Sequence, residues 1–354
     1  MSPPTTPAPN GEPPRVPSKA SSGFADPPPN KPPPNIAGGT PITPPTPAPK
    51  AASATPTADI GDLFKSGTDD AKGYFVVIAG PPKYGKTTFA LGAPNPVFLL
   101  TDRGGLKSAP RSIKRVVPES WTALLTAARA LRDKPHDHRT VVLDTVFKAE
   151  SLLIKHLCER DSKTSLRTVG GGYGAGYEQM VSEINQIVDI FFTLNERGIH
   201  TIVISQIEHK TVKDASLDDY EKTALALAKQ TSIVWIAAAD VNMFVQPEMK
   251  ERERIEAKDK EDRVKVDFTG RAICHVRPAS GIDAGNRLFL ESPMTYSWAS
   301  LELGAAEGAE LRDRLFAKLG TLNSLAREQA DWRLNQAGWS RAAAMAEINA
   351  PASK

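Results

Sequence analysis

The sequence predicts an α/β protein, a mostly parallel sheet flanked by helices, with a Pro-rich tail before it and a small helical region after it. Three observations predict this class. Residues 75–79, 97–100, 140–144, 199–205 and 241–245 are nearly continuous apolar runs without alternation, the pattern of strands buried on both faces. Amphipathic stretches at helical spacing separate most of them, so strand and helix alternate and the strands pair in parallel. Between the first run and the first helix stands Gly80-Pro81-Pro82-Lys83-Tyr84-Gly85-Lys86-Thr87, the spacing of a phosphate-binding loop.

The tail comes first in the chain. Eighteen of the 30 prolines fall in the first fifty residues, among Ser, Thr, Ala, Asn and Gly with hardly any large apolar side chain. Residues 1–68 therefore cannot bury enough surface to offset the entropy of ordering, and read as disordered and partly polyproline II. Runs such as Pro27-Pro28-Pro29 and Pro44-Pro45-Thr46-Pro47 fit either a plain spacer or a ligand for an aromatic groove. No stretch is apolar for about eighteen residues and no basic-then-apolar signal opens the chain, so the expectation is a cytoplasmic, unexported protein with no membrane partner. Cys158 and Cys274 fit no ligand spacing and read as reduced thiols. A net charge of +3 does not announce nucleic-acid binding, so any such contact must come from local patches.

Within the core the loop leads into a helix from Lys86 through Leu91. Residues 97–100 end in Thr101-Asp102-Arg103-Gly104-Gly105, a strand and a sharp turn. Ser120 opens a helix with Trp121, Leu124, Leu125, Ala128 and Leu131 on one face. Residues 140–144 end in Asp144, and a helix with Leu152, Leu153, Ile154 and Leu157 follows. Residues 161–177 mix basic and aromatic residues with glycines and read as mobile. A long helix with Met180, Val181, Ile184, Ile187, Val188, Phe191 and Phe192 inward stops at Gly198. The strand of residues 199–205 ends at Gln206. Residues 250–265 read as a solvated helix or hairpin, residues 272–276 and 287–290 as short strands, and residues 309–350 as helices broken at Gly320 and Gly338, anchored by Trp332 and Trp339.

The chemistry gathers at the strand ends. A loop formed by Gly80, Pro81, Pro82, Lys83, Tyr84, Gly85, Lys86, Thr87 and Thr88 would wrap a phosphate with backbone N–H groups while the helix points its positive end at the same oxygens. Lys86 would reach the β- and γ-phosphates, and Thr87 would hold Mg2+. Asp144 fits a carboxylate that orients the metal's water shell. Asp102 is the nearest group to align an attacking water, and equally suits a turn. ATP and Mg2+ are the cofactors this set implies.

The order of phosphate loop, strand with Gly-Gly turn, Asp-ending strand, Gly/Tyr-rich segment and strand ending in Ser205-Gln206 resembles the RecA-type recombinase core. It looks most like the small phage nucleotide-binding proteins regarded as single-strand annealing recombinases, whose Gly-x-Pro-Lys-x-Gly-Lys-Thr-Thr loop residues 80–88 match. The resemblance covers about residues 72–300 and implies an ATPase core over residues 69–300, with a helical region over 301–354. It makes Gln206 a γ-phosphate sensor, and residues 161–177 and 207–220 two DNA loops. Lys163, Arg167, Tyr173 and Tyr177 in the first would meet phosphates and stack on bases, and His209, Lys210 and Lys213 in the second would meet phosphates. One departure is Arg103, where such proteins usually carry a glutamate; either Asp102 substitutes or hydrolysis is slow. Ala284-Gly285-Asn286-Arg287 faintly resembles a segment that sets a basic residue near a neighbouring subunit's nucleotide, with a surface ion pair as the plainer role for Arg287.

The resemblance thus implies an ATPase that binds single-stranded DNA and promotes annealing or strand pairing in the cytoplasm, the host's if the protein is phage-encoded. A head-to-tail homo-oligomer and a single-stranded-DNA-binding protein are its implied partners. The residues leave open a P-loop ATPase that loads or remodels a protein partner. A small-molecule phosphotransferase fits less well, for want of an Arg-rich lid.

Overall fold

The computed structural model describes residues 72–102, 104, 109–212, 220–251, 266–279 and 281–351, all within the compact unit of residues 66–354. The expected tail, Arg103, Lys213 and residues 252–265 lie outside the described residues.

The chain runs β1 (Phe75–Ala79), α1 (Lys86–Leu91), β2 (Pro96–Leu100), β3 (Lys114–Val116), α2 (Trp121–Asp133), β4 (Thr140–Asp144), α3 (Val146–Arg160), a 3-10 turn (Leu166–Gly171), α4 (Ala175–Glu196), β5 (His200–Ser205), β6 (Ile207–Val212), β7 (Tyr220–Leu225), α5 (Lys229–Ala238), β8 (Val241–Glu251), β9 (Val266–His275), β10 (Gly285–Asn286), α6 (Trp298–Gly320), α7 (Ser324–Gln336) and α8 (Arg341–Asn349). An eight-stranded sheet has the order β10-β8-β1-β5-β4-β2-β3, with β9 also on β8. Every pair from β8 through β3 is parallel; β9 and β10 join antiparallel. The predicted architecture is the observed one.

Alternation along each strand splits the core in two. Phe75, Val77 and Ala79 face the cluster shared with Leu124, Leu153, Ile184, Phe191 and Trp235. Val76 and Ile78 face the other, with Phe89, Trp298 and Leu301. Burial on both faces is why these runs are apolar throughout. Ser120 caps α2 by accepting from the Ala123 N–H at 3.1 Å, as its position before an apolar face predicts. The two cysteines are free and buried. Among the described residues no helix is long and apolar enough to cross a membrane.

Several expectations change. Residues 207–212 are not a loop: they form β6, paired antiparallel with β7 in a separate two-stranded sheet. Ile207, Thr211 and Val212 favour strand, and His209 and Lys210 between them are exposed. Residues 161–177 are folded, because Leu166 and Val169 are buried as anchors among the glycines and Asp161 accepts from the Gly170 N–H at 2.8 Å. Residues 287–290 are not a strand; the short bridge is one step earlier, at Gly285–Asn286. Phe192 is 41 % exposed and Trp332 63 %, so neither is a core anchor, whereas Trp339 packs partly against Leu311, Leu334 and Ala344.

The last long helix starts well before residue 309. Ser297 caps α6 by accepting from the Ser300 N–H at 3.1 Å, and residue 301 lies inside it. Its Trp298, Leu301 and Ala305 serve the sheet's core, and its Leu311, Leu315 and Leu319 a third cluster with α7 and α8. Gly304 and Gly308 hide this helix from propensity reasoning. Gly308 is required by packing: a Cβ there would lie 1.9 Å from the Leu288 carbonyl oxygen.

Candidate nucleotide site and the segments above it

The strand register brings the candidate residues together. Ala79 pairs with Ser205, Ile204 with Asp144, and Asp144 with Leu100, so the C-terminal ends of β1, β5, β4 and β2 are nearly flush. The loop of residues 80–85, Asp102, Asp144 and Gln206 therefore line one edge, where ligands of open α/β sheets bind.

Gly80 leaves β1 against β8, where a Cβ would come within 2.9 Å of the Val245 carbonyl oxygen. Gly85 adopts φ 73° at the N-terminus of α1, a conformation that favours glycine, and directs the chain into the helix. The Lys86 side chain is buried and turns back over the loop, its Nζ donating to the carbonyls of Gly80 at 2.7 Å and Pro81 at 2.6 Å. Burial pushes this ammonium down to about 8, with the Asp144 carboxylate acting the other way. A cation held by two carbonyls, and by no carboxylate at ion-pair distance among the described residues, suits phosphate oxygens. Pro82, Lys83 and Thr88 are exposed, while Tyr84 is half-buried against the α1 side of the sheet.

Thr87 Oγ1 donates to Asp144 Oδ2 at 2.9 Å. Burial raises the Asp144 carboxyl above its usual value; the Thr87 hydrogen bond opposes this, the Asp102 charge adds to it, and Lys86 opposes it. Hard oxygens from a hydroxyl and a buried carboxylate beside a phosphate loop fit Mg2+. Asp102 donates its N–H to the Asp144 carbonyl at 3.2 Å, and its Oδ1 accepts from the Gly104 N–H at 3.1 Å. It thus performs the turn role beside Asp144, and its carboxylate is near enough to influence it.

Gln206 follows Ser205 immediately beyond the register of the phosphate-loop strand. Its carbonyl accepts from the Ala226 N–H at 2.9 Å and from Ser205 Oγ at 2.9 Å, which fixes the base of the β6–β7 hairpin. His209 meets Thr223 at 3.2 Å across that hairpin. Lys210 pairs with Glu208 at 2.5 Å, and Lys222 with Asp283 at 2.7 Å.

The Gly/Tyr segment rises from the same edge. Asn195, at the far end of α4, bonds the Tyr74 carbonyl at 3.2 Å, next to the start of β1. The 22 residues of α4 span about 33 Å and a five-residue strand about 17 Å, so the first turns of α4 stand past the strands' C-terminal ends. There Tyr173 is fully exposed, at φ 51° between Gly172 and Gly174. Lys163 and Arg167 are exposed, and among the described residues neither forms an ion pair; Tyr177 instead packs partly on the core. Arg287 is elsewhere: it pairs with Asp240 at 3.7 Å, and Asp240 accepts from the Phe75 N–H at 2.9 Å, at the opposite edge.

Sequence reasoning missed Glu150. This buried carboxylate on α3 accepts from the Ala228 N–H at 2.9 Å and from the Thr231 hydroxyl, capping α5 just after β7. It ties the helix that follows Asp144 to the exit of the hairpin that follows Gln206. The signal was an acid on the apolar face, since Glu150 lies among Val146, Ala149, Leu153 and Leu157.

A family model described as an AAA domain matches residues 72–288, and the chain belongs to that family. No curated protein matches it. Among solved structures the chain is similar to the crystal structure of the RadB recombinase at 15% identity, over 57% of this chain and 90% of that chain, with a TM-score of 0.31. That likeness is too distant to bear on activity. The fold is the expected one, a mostly parallel sheet flanked by helices with a phosphate-loop sequence after its first strand, and the AAA-domain match agrees with it.

Proposed function

We propose that this AAA-domain chain is a Mg2+-dependent ATPase of the annealing-recombinase type, which binds single-stranded DNA and promotes annealing or strand pairing as a head-to-tail homo-oligomer. The observation that carries the reading is continuity. Gln206 stands beside the phosphate loop and leads straight into a hairpin, while a fully exposed Tyr173 stands above the same edge with Lys163 and Arg167, which form no ion pair among the described residues. Lys86 binds the β- and γ-phosphates, Thr87 and Asp144 hold Mg2+, and Gln206 senses the γ-phosphate. Bound Mg2+ would neutralise charge on the phosphate oxygens. Asp102 aligns water, or, with its carboxylate committed to the Gly104 turn, leaves hydrolysis slow. Tyr173 stacks on bases, Lys163, Arg167, His209, Lys210 and Lys213 meet phosphates, and Tyr177 supports them from the core. The setting is cytoplasmic, the host's if phage-encoded, and a single-stranded-DNA-binding protein is a fitting partner.

A second reading is favoured by the hairpin's own ion pairs, since Lys210 and Lys222 already have carboxylate partners. It makes the chain an ATPase that loads or remodels a protein, with the Pro-rich tail as recruiting arm. ATP turnover with and without single-stranded DNA, alongside anisotropy of a labelled oligonucleotide across a salt series, separates the two. The recombinase reading expects DNA-stimulated turnover and a log–log salt slope of roughly −2 for about three phosphate contacts. Absence of salt-sensitive binding in either nucleotide state overturns it in favour of the second.

A further inference from the structure

At the edge of the sheet far from the phosphate loop, a groove runs between β3 and the C-terminal half of α2. Its floor is apolar, with Leu99, Ala130 and Leu131; Ala127 and Ala130 leave space where larger residues would close it. Lys114, Arg115 and Lys134 line it, and no carboxylate does. The nearest acid along α2, Asp133, is held by Arg132 at 2.7 Å. β3 is the last strand, pairs only with β2 among the described residues, and is exposed at all three positions. Also lining it, His136 and His138 each carry a buried Nδ1 with no hydrogen-bond partner among the described residues, although His136 Nε2 meets the Leu131 carbonyl at 2.7 Å.

We infer that this groove docks an extended, acidic peptide of a partner protein, which adds to β3 as a further strand. An open strand edge offers backbone hydrogen bonds, and pockets for alternate side chains give such pairing its specificity. Register puts Lys114 opposite Val97 and Val116 opposite Leu99, on the α2 face, so alternate apolar side chains of the added strand meet the floor. The intervening carboxylates, on the other face by the same alternation, lie beside Arg115, while Lys114 and Lys134 raise the positive potential along the edge, and that complementarity selects an acidic occupant. Single-stranded nucleic acid fits less well, because the groove offers no Phe, Tyr or Trp on which bases stack. The site is independent of the recombinase reading.

The test uses the full chain and a fluorescein-labelled octapeptide alternating aspartate with leucine. Anisotropy is expected to show saturable binding, and hydrogen exchange to show the peptide slowing amides at residues 114–116. Replacing Lys114 and Lys134 together by Glu should weaken the peptide about tenfold while ATP turnover stays unchanged, and Ala130→Trp, which fills the floor, should weaken it without altering net charge. A peptide with lysine for aspartate, or with proline at alternate positions and so without the pairing N–H groups, should not bind. The inference is overturned if the wild-type chain shows no binding, if the lysine or proline peptide binds as well, or if protection appears away from β3. It is also overturned if the Lys114/Lys134 double variant keeps the peptide and loses single-stranded DNA instead, which would make the groove a nucleic-acid surface.

Discussion

The phosphate loop and the Tyr173 segment share one edge of the sheet but are held by opposite means. The loop is fixed by close backbone approaches and a buried cation, with Lys86 spanning two carbonyls and Thr87 bonded to Asp144. The segment has its anchors, Leu166 and Val169, inside, and sends Tyr173 fully into solvent. The first is a site that exists before its ligand arrives. The second is a display: Tyr173 projects into solvent, and on the proposed reading its partners come from what binds. Substitution should therefore separate chemistry from stability differently in the two regions.

The largest expected effect is at the loop. Lys86→Ala should lower ATP turnover by roughly two to three orders of magnitude, as removing one preorganised charge-stabilising donor does, with circular dichroism unchanged. Stability should shift little, because loss of a desolvated charge offsets two carbonyls left unpaired. Turnover near wild type in a folded variant would break the comparison at its firmer half. Asp144→Asn should weaken Mg2+ dependence about ten- to a hundredfold, read by titrating the metal against nucleotide binding.

Glu150 joins the helix after Asp144 to the exit of the β6–β7 hairpin. Glu150→Ala should cost about 1–3 kcal/mol by stranding the Ala228 N–H and the Thr231 hydroxyl, measured by denaturant unfolding, and should loosen the coupling between ATP and DNA. A variant as stable as wild type would show that the cap is dispensable. Tyr173→Ala should leave the melting temperature unchanged and weaken single-stranded DNA by roughly 1–3 kcal/mol with the salt slope intact, since stacking releases no counterions.

The smallest effect is a pH dependence. Burial holds Lys86 near 8 against an ordinary 10.5, so the fold disfavours its charged form and the empty protein gains stability as pH rises from about 8 toward about 10.5. Bound phosphates favour the charged form. Nucleotide affinity should therefore be full below pH 8 and fall as pH passes it, by up to about tenfold between pH 7 and 9, and Lys86→Arg should flatten the curve. Affinity rising with pH would contradict this assignment.

How much was legible in the sequence follows the same division. The sheet, the loop and Asp144 were readable because burial on both faces forces apolar runs and because a phosphate loop needs glycine and lysine at fixed spacing. Residues 207–220 read as a loop on the resemblance, and the charged residues facing solvent hide the pairing of β6. Residues 161–177 read as mobile in the sequence, because two apolar anchors carry less weight than the five glycines beside them. Glu150 escaped because a buried acid announces itself only through partners far along the chain, at Ala228 and Thr231.

Gly308 extends the point to the C-terminal helices. α6 belongs to two hydrophobic clusters, and it rests on the Leu288 carbonyl at a position where nothing but hydrogen fits. The joint between the sheet and the terminal helices is thus written as an omission. A single added methyl group at that position would push the long helix off the segment before it, and with it the cluster that α7 and α8 share.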